Sequence, residues 1–157
     1  MPDGSDCATR FTVVAVDTNL LVYAYRADSP FHADARTLID SLVEGAARWA
    51  IPWPCVHEFI AIVTHPRVFK TPTPVAIALS QVRDLASLPQ VIFLAESDDY
   101  LSRLEAVALP AKSRGGMIHD ARIAALCLHH GIAELLSADR DFSRFPALRT
   151  RNPLVAR

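Results

Sequence analysis

Four acidic residues stand at positions where their side chains could do chemistry, and two of them come directly after apolar runs. Asp17 follows FTVVAV, and Asp139 follows ELL and the dipeptide Ser137-Ala138. Both runs are typical of strands buried in a parallel sheet, where ligands bind beyond the carboxyl ends of the strands. Each aspartate could instead cap the helix after it, because a carboxylate accepts hydrogen bonds from the first N–H groups of a helix.

The other two acids, Glu58 and Asp120, lie in helical segments on faces that are otherwise apolar. The neighbours three and four positions away are small or apolar: Pro54, Cys55, Ala61 and Ile62 around Glu58, and Gly116, Met117, Ile123 and Ala124 around Asp120. Burying a carboxylate among such neighbours is costly unless it is paired or binds a cation. The alternative is that both side chains reach the rim of an amphipathic helix.

Brought together, the four carboxylates would form a site made only of oxygen ligands. Several carboxylates in one pocket repel each other and raise their own pKa values unless cations compensate. Oxygen ligands of this kind suit Mg²⁺ or Mn²⁺, which also bind substrate phosphate. The pattern therefore indicates metal-assisted hydrolysis at a phosphoryl centre, as in two-metal nucleases.

The hydrophobic pattern predicts the strands and helices that would position these acids. Strands are expected over residues 11–16, 49–51, 91–94 and 134–136, and helices over 18–25, 31–47, 55–64, 74–87, 98–108, 117–130 and 139–145. Alternating strands and helices favour an α/β domain with a mostly parallel sheet and helices on both faces. Residues 1–10 are interpreted as a flexible tail and residues 11–157 as one domain.

Composition and charge limit the classes of function. The 157 residues are 51% hydrophobic and 21% charged, which is the composition of a single globular domain. A net charge of −1 excludes a uniformly basic surface that coats nucleic acid. The charges are unevenly distributed, because residues 1–102 carry 7 basic and 12 acidic side chains and residues 103–157 carry 9 basic and 5 acidic ones.

Several other classes of site and location are excluded by simple counts. The 3 cysteines form no Cys-x-x-Cys pair, so neither a disulfide framework nor a thiolate zinc site is expected. The start, MPDGSDCATR, does not have the pattern of a secretory signal. The apolar runs fall far short of the roughly 20 residues that a membrane helix needs. A cytoplasmic protein without a membrane partner is the resulting expectation.

Four blocks of sequence carry a resemblance to a known family. They are VVAVDTNLLVYA, PWPCVHEFIAIVTHPRVF, RGGMIHDARIAALCLHHGI and LLSADRDFSRFPALR, and the similarity runs from about Val13 to Leu154. In order and spacing, these blocks resemble the PIN-domain ribonucleases of the VapC toxin type. The resemblance implies a three-layer α/β/α fold and the activity of a Mg²⁺- or Mn²⁺-dependent endoribonuclease.

The resemblance also implies a role for each acid. Asp17, Asp120 and Asp139 would hold the metal, and Glu58 would ligate it or orient the water that attacks phosphorus in a single hydrolytic step. The hydroxyl groups of Thr18 and Ser137 match positions that support the acidic cluster in the family. Asp141 could be an auxiliary ligand or only an acid in the first turn of a helix, and the second interpretation is preferred.

The partners that the resemblance implies are RNA as substrate, a second copy of the chain, and a VapB-type antitoxin whose tail occupies the active site and whose own domain binds operator DNA. Lys112 and Arg114, in the basic loop KSRGG, are candidates to contact RNA phosphates beside the acids. A dimer contact could also use apolar residues of the 18–25 and 74–88 helices, although these may all belong to the core: Leu21, Tyr25, Ile77 and Leu85.

Three alternative functions are considered. A PIN-domain nuclease of RNA maturation would share the same site but have no antitoxin. A helical metal phosphohydrolase of the His-Asp type would use His119-Asp120 with His57 or His65 as ligands. A protein-interaction module would use the acids only to neutralise the arginines of a partner.

Overall fold

The computed structural model describes residues 12–155, which form a parallel sheet and the helices that cover it. The strands are β1 (Val14–Val16), β2 (Trp49–Pro52), β3 (Val91–Leu94), β4 (Glu134–Leu136) and β5 (Thr150–Arg151). The helices are α1 (Thr18–Tyr25), α2 (His32–Glu44), α3 (Trp53–Val63), α4 (Val75–Ala86), α5 (Tyr100–Ala108) and α6 (Met117–His129), with a 3-10 helix at Arg140–Arg144. The tail predicted at residues 1–10 lies outside the described residues.

The strand order places a topological switch point at the centre of the sheet. The order is β3-β2-β1-β4-β5, and every neighbouring pair is parallel. From β1 the chain proceeds to β2 and β3 on one side, and then crosses back to β4 and β5 on the other. In open parallel sheets of this kind, the crevice beyond the carboxyl ends of the strands at the switch point is the usual ligand site. Here that crevice lies beyond β1 and β4.

Both faces of the sheet are covered by helices, which explains why its central strands are apolar throughout. Ala15, Trp49, Ala50 and Leu135 are completely buried. Helices α1 to α4 contact one another in a connected row, and α5 packs on α6. The right-handed crossover rule places these two groups of helices on opposite faces, so the fold has three α/β/α layers. The predicted fold class is confirmed, and the all-helical phosphohydrolase alternative is wrong.

The boundaries differ from the predicted ones where local geometry, and not periodicity, decides them. Helix α3 begins at Trp53 because proline fits the first turn of a helix, where its missing N–H has no partner to lose. Strand β5 has no apolar alternation and was not predicted. It exists because the backbone N–H groups of Leu135 and Ser137 donate to the carbonyl oxygens of Arg149 and Arg151, at 2.9 and 3.0 Å. The segment predicted as a helix over 139–145 is the short 3-10 helix.

Among residues 12–155, no helix combines the length and the apolar character that crossing a membrane requires.

Candidate active site

Asp17 lies at the switch point, where its backbone and side chain are both held in place. Its N–H donates to the carbonyl oxygen of Leu136 at 2.9 Å, which extends the β1–β4 pairing by one residue. The side chain is only 4% exposed and makes no capping hydrogen bond to α1. Instead, its Oδ2 accepts from the Ser137 hydroxyl at 2.6 Å, and its Oδ1 accepts from the Cys55 thiol at 3.5 Å. The capping interpretation of Asp17 is therefore wrong.

Ser137 and Asp139 follow β4 and form the neighbouring wall of the site. The Ser137 hydroxyl, which donates to Asp17, also accepts from the backbone N–H of Asp139 at 3.0 Å. Oδ1 of Asp139 accepts from the backbone N–H of Asp141 at 2.8 Å, so Asp139 does cap the 3-10 helix. This cap uses one oxygen of the carboxylate and leaves the other available to face the remaining acids.

Glu58 and Asp120 reach the same region from two helices. Glu58 is half-buried on α3, and its Oε2 accepts from the Thr18 hydroxyl at 2.6 Å. Thr18 is the first residue of α1, so this bond ties α3 to the start of α1, directly after Asp17. Asp120 is half-buried in the first turn of α6. Thr18 and Ser137, the two hydroxyl residues expected to support the cluster, thus each donate to one of its acids.

The tightest group of carboxylate oxygens includes Asp141, for which the sequence favours only the role of an acid in the first turn of a helix. Carboxylate oxygens of Asp120, Asp139 and Asp141 all lie within 4.8 Å of one another. Asp141 was interpreted as an acid of the first helical turn, and the structure shows that it occupies that turn. It also belongs to the cluster, because its backbone N–H is bonded to Asp139 and one of its own carboxylate oxygens lies within 4.8 Å of oxygens of Asp139 and Asp120.

The pKa of Asp120 shows that these acids share one electrostatic environment. This pKa is raised from 3.8 to about 6, first by partial burial and then by the charges of Asp139, Asp17, Asp141 and Glu58. Burial also raises the pKa of Asp17, with a further contribution from Glu58. Hydrogen bonds from Ser137 and Cys55, together with the nearby backbone N–H of Thr18, oppose that shift. The acids therefore destabilise one another when all of them are ionised.

The donor set fits a hard divalent cation. Carboxylate oxygens are the ligands that Mg²⁺ and Mn²⁺ prefer, and a cation would relieve the repulsion that raises the pKa of Asp120. Arg144 lies 3.7 Å from Asp141, but both side chains are about half exposed, so this ion pair compensates the cluster only weakly. The histidines of the alternative metal site contribute no ligand to this group of oxygens.

The basic side chains near the site differ in exposure and in ion pairing. Lys112 and Arg114 are exposed in the loop that leads into α6, the helix that carries Asp120. Lys112 and Gly115 have φ angles of 50° and 55°, which fit a tight turn before the helix. Arg122 pairs with Glu96 at 2.7 Å, so its charge is already engaged within the protein.

Cys55 is the residue of the site that the sequence interpretation missed. The apolar residues around Cys55 in the sequence predict only a small core residue, and it is indeed completely buried. Its contact with Asp17 joins residues 38 positions apart in sequence. The only signal in the sequence is its position one turn before Glu58 on the same helix, which by itself does not indicate a contact with β1.

A parallel sheet covered by helices, with acids beyond the carboxyl ends of β1 and β4, is the arrangement found in PIN-domain proteins. The family model for the PIN domain matches residues 14–148. This chain belongs to the PIN domain family, in the group of the VapC ribonucleases.

The relatives agree with this assignment along most of the chain. The chain is 35% identical to ribonuclease VapC48 of Mycobacterium tuberculosis, over 87% of its own length and 94% of the relative. It is 37% identical to ribonuclease VapC43 of the same organism, over 90% and 96% of the two lengths. Among solved structures, VapBC2 of Rickettsia felis bound to a promoter DNA fragment has a TM-score of 0.65 at 17% identity, covering 89% of this chain and 98% of that one.

A second solved structure shares the fold. It is VapC20 of Mycobacterium tuberculosis, described as a toxin that cleaves the sarcin-ricin loop, with a TM-score of 0.60 at 19% identity. The match covers 83% of this chain and 92% of VapC20. At these identities, the two solved structures support the three-layer fold.

The raised pKa of Asp120 predicts how stability depends on pH in the metal-free protein. The folded state binds this proton more tightly than the unfolded chain, so the stabilisation is complete below pH 3.8 and is lost as the pH rises through about 6. After allowance for partial exposure, the loss is about 1 kcal/mol in the free energy of unfolding. Urea unfolding in EDTA between pH 4 and 7 should show a smaller decline in Asp120→Asn than in the wild type.

The matched control for this measurement is Asp34→Asn, which removes an exposed acid on α2. This variant should lose stability with pH as the wild type does. An equally steep decline in Asp120→Asn would show that the carboxylates do not destabilise one another in the folded protein.

Proposed function

We propose that this chain is a Mg²⁺- or Mn²⁺-dependent endoribonuclease and the toxin of a toxin–antitoxin pair. The observation that carries the proposal is the group of carboxylates at the switch point of a PIN domain related to VapC ribonucleases. RNA as a substrate makes the cytoplasm the expected place of action. The target RNA would be cut by hydrolysis of a phosphodiester bond.

The proposed roles follow from the contacts of each acid. Asp17, Asp120 and Asp139 would hold the cation, with Glu58 as a further ligand or as the group that orients the attacking water. Asp141 offers one more oxygen, in the group that it forms with Asp120 and Asp139. A bound divalent cation would make water a better nucleophile and offset negative charge at phosphorus.

The chain's own hydrogen bonds prepare this site before a substrate binds. Ser137 and Thr18 donate to Asp17 and Glu58, so both carboxylates are already oriented in the protein alone. Orientation before binding lowers the entropic cost of reaching a reactive geometry. Asp120, whose pKa is raised to about 6, would lose its proton more readily with a cation beside it.

An antitoxin partner fits a second feature of the surface, an apolar groove of about 400 Å³ formed by α1, α2, α3, α4 and β3. Its apolar lining includes Leu21, Tyr25, Ile39, Phe59, Val82 and Leu85. Grooves of this character mark binding sites for partners. We propose that a segment of a VapB-type antitoxin covers this groove, and that the antitoxin carries the contact with operator DNA.

The groove also bears on the proposed dimer contact. Leu21, Tyr25 and Leu85 line the groove, whereas Ile77 is 54% exposed on α4 and does not line it. The four residues therefore do not form one surface. A homodimer remains a proposal that the family resemblance supports. Of the four residues, Ile77 is the one that is exposed and therefore positioned for a dimer contact.

A PIN-domain nuclease of RNA maturation is the nearest competing function. Both functions need the same acids, so cleavage alone does not separate them. Growth arrest on expression, relieved by a small protein encoded beside this chain, would favour the toxin. A protein-interaction module, by contrast, predicts no RNA cleavage by the purified chain with Mg²⁺.

The assignment of the acids predicts that Asp17→Asn and Asp120→Asn each reduce RNA cleavage by more than about 100-fold, because a neutral amide is a poor ligand for a hard cation. Cleavage of total RNA by the purified chain with Mg²⁺ measures this loss, and circular dichroism verifies the fold. Asp40→Asn, which removes an exposed acid paired with Arg36, should leave cleavage unchanged. Wild-type rates in Asp17→Asn would refute the site.

The basic loop predicts a specific effect of salt on RNA binding. Lys112→Glu and Arg114→Glu together should weaken binding and flatten its dependence on salt, since each lost phosphate contact removes about 0.7 from the slope of log affinity against log salt for single strands. Filter binding at several KCl concentrations, in a variant made non-cleaving by Asp120→Asn, measures the slope. The control is the double change Lys70→Glu and Arg83→Glu at exposed positions on other elements. An unchanged slope would exclude the loop from the interface.

The groove predicts a variant that separates binding of the antitoxin from catalysis. Val82→Glu places a charge in the apolar groove, which should weaken capture of the co-expressed antitoxin at least about 10-fold, while RNA cleavage is retained. Affinity purification of the complex and a cleavage assay measure the two effects. Leu79→Glu, at an exposed position on the same helix, is the control. Full antitoxin capture by Val82→Glu would contradict the proposal that the antitoxin covers this groove.

A further inference from the structure

The carboxylate of Asp17 is held by two side chains from different elements. Ser137, after β4, donates to Oδ2 at 2.6 Å, and Cys55, in the first turn of α3, donates to Oδ1 at 3.5 Å. A carboxylate has about four lone-pair positions on its two oxygens. The two donors therefore occupy one position on each oxygen and leave one on each for a further ligand.

The fold explains why Cys55 reaches Asp17. Strand β2 pairs directly with β1, and α3 starts immediately after β2, so the first turn of α3 lies beside the point where the chain leaves β1. Cys55 is completely buried, and Asp17 is almost completely buried. A thiol is a weak donor, but a hydrogen bond shielded from water is stronger than the same bond in solvent.

We propose that Cys55 is a positioning residue that fixes the orientation of the Asp17 carboxylate, so that its remaining lone pairs are held for a divalent cation. This inference rests on the proposed metal-dependent function. Without the thiol, one oxygen of Asp17 loses its donor, and the carboxylate can rotate about the bond that carries it. A ligand that must be ordered on binding holds its cation less tightly.

Cys127 provides a matched comparison for Cys55. It is also completely buried, and the charge of Asp17 contributes to its raised pKa, so it lies near the same carboxylate. Within residues 12–155, the hydrogen bond from a thiol to Asp17 comes from Cys55. Replacing either cysteine by alanine removes one buried sulfur atom, but only at position 55 does the change also remove a donor to Asp17.

The experiment compares Cys55→Ala, Cys55→Ser, Cys127→Ala and Cys127→Ser in the full chain. Each protein is stripped with EDTA and titrated with Mn²⁺ by calorimetry, and kcat and KM are measured on a short RNA. Cys55→Ala is expected to weaken Mn²⁺ binding about 3- to 10-fold, which is the loss of one net hydrogen bond. Its kcat should fall at limiting Mn²⁺ with little change in KM, because the thiol does not touch RNA.

The conservative variants distinguish positioning from packing. A serine hydroxyl can donate to Asp17, so Cys55→Ser should bind Mn²⁺ within about 2-fold of the wild type. Both Cys127 variants should do the same. Equal losses in Cys55→Ala and Cys127→Ala, or a loss in Cys55→Ser as large as in Cys55→Ala, would show that the thiol only fills space and would overturn the proposal.

A spectroscopic measurement keeps the proposal testable if Cys55→Ala does not fold. The S–H stretching band that disappears from the infrared spectrum in Cys55→Ser is expected at the lower frequency of a donating thiol, and a band at the frequency of a free thiol would overturn the inference. Failure of the proposed function appears elsewhere, because the wild type itself would then neither bind Mn²⁺ nor cleave RNA. That result would overturn both proposals, whereas loss of the positioning role alone appears only among the variants.

Discussion

Repulsion among carboxylates is the constraint on which the arrangement of this site depends. Burial, and then the charges of Asp139, Asp17, Asp141 and Glu58, raise the pKa of Asp120 to about 6. Such a group stays together only if other interactions of the folded chain offset this repulsion. Donors from Ser137, Thr18 and Cys55 and the capped 3-10 turn provide part of the compensation. Under the proposed function, a divalent cation would provide the rest.

The sheet makes this compensation possible because it is rigid where the acids are attached. Central strands buried on both faces have little freedom to move, and their carboxyl ends stand side by side at the switch point. Helix α3 brings Glu58 and Cys55 to that edge, and the first turn of α6 brings Asp120. The apolar groove formed by α1 to α4 is lined by none of these acids, so the proposed partner site and the proposed catalytic site can change independently.

Much of this arrangement could be predicted because it depends on local patterns of apolar and polar residues in the sequence. Strands β3 and β4 have the predicted bounds, since short apolar runs flanked by turn residues have few alternatives in an α/β domain. The four acids were identified by their position after strands or within apolar helical faces. Strand β5, the place of Asp141 in the cluster and the contact of Cys55 could not be predicted in this way. Each depends on a partner far along the chain or on the detailed shape of a turn.

The sequence by itself determined the fold class, the family and the candidate acids of the site, because hydrophobic periodicity and motif spacing are properties of the linear chain. Only the tertiary structure decided which of the two aspartates after the strands caps a helix: Asp139 does, whereas the side chain of Asp17 does not. The reason is that hydrogen bonds form between atoms brought together by packing. The thiol of Cys55 meets Asp17 across 38 positions of sequence because β2 pairs with β1 and α3 follows β2 without a loop.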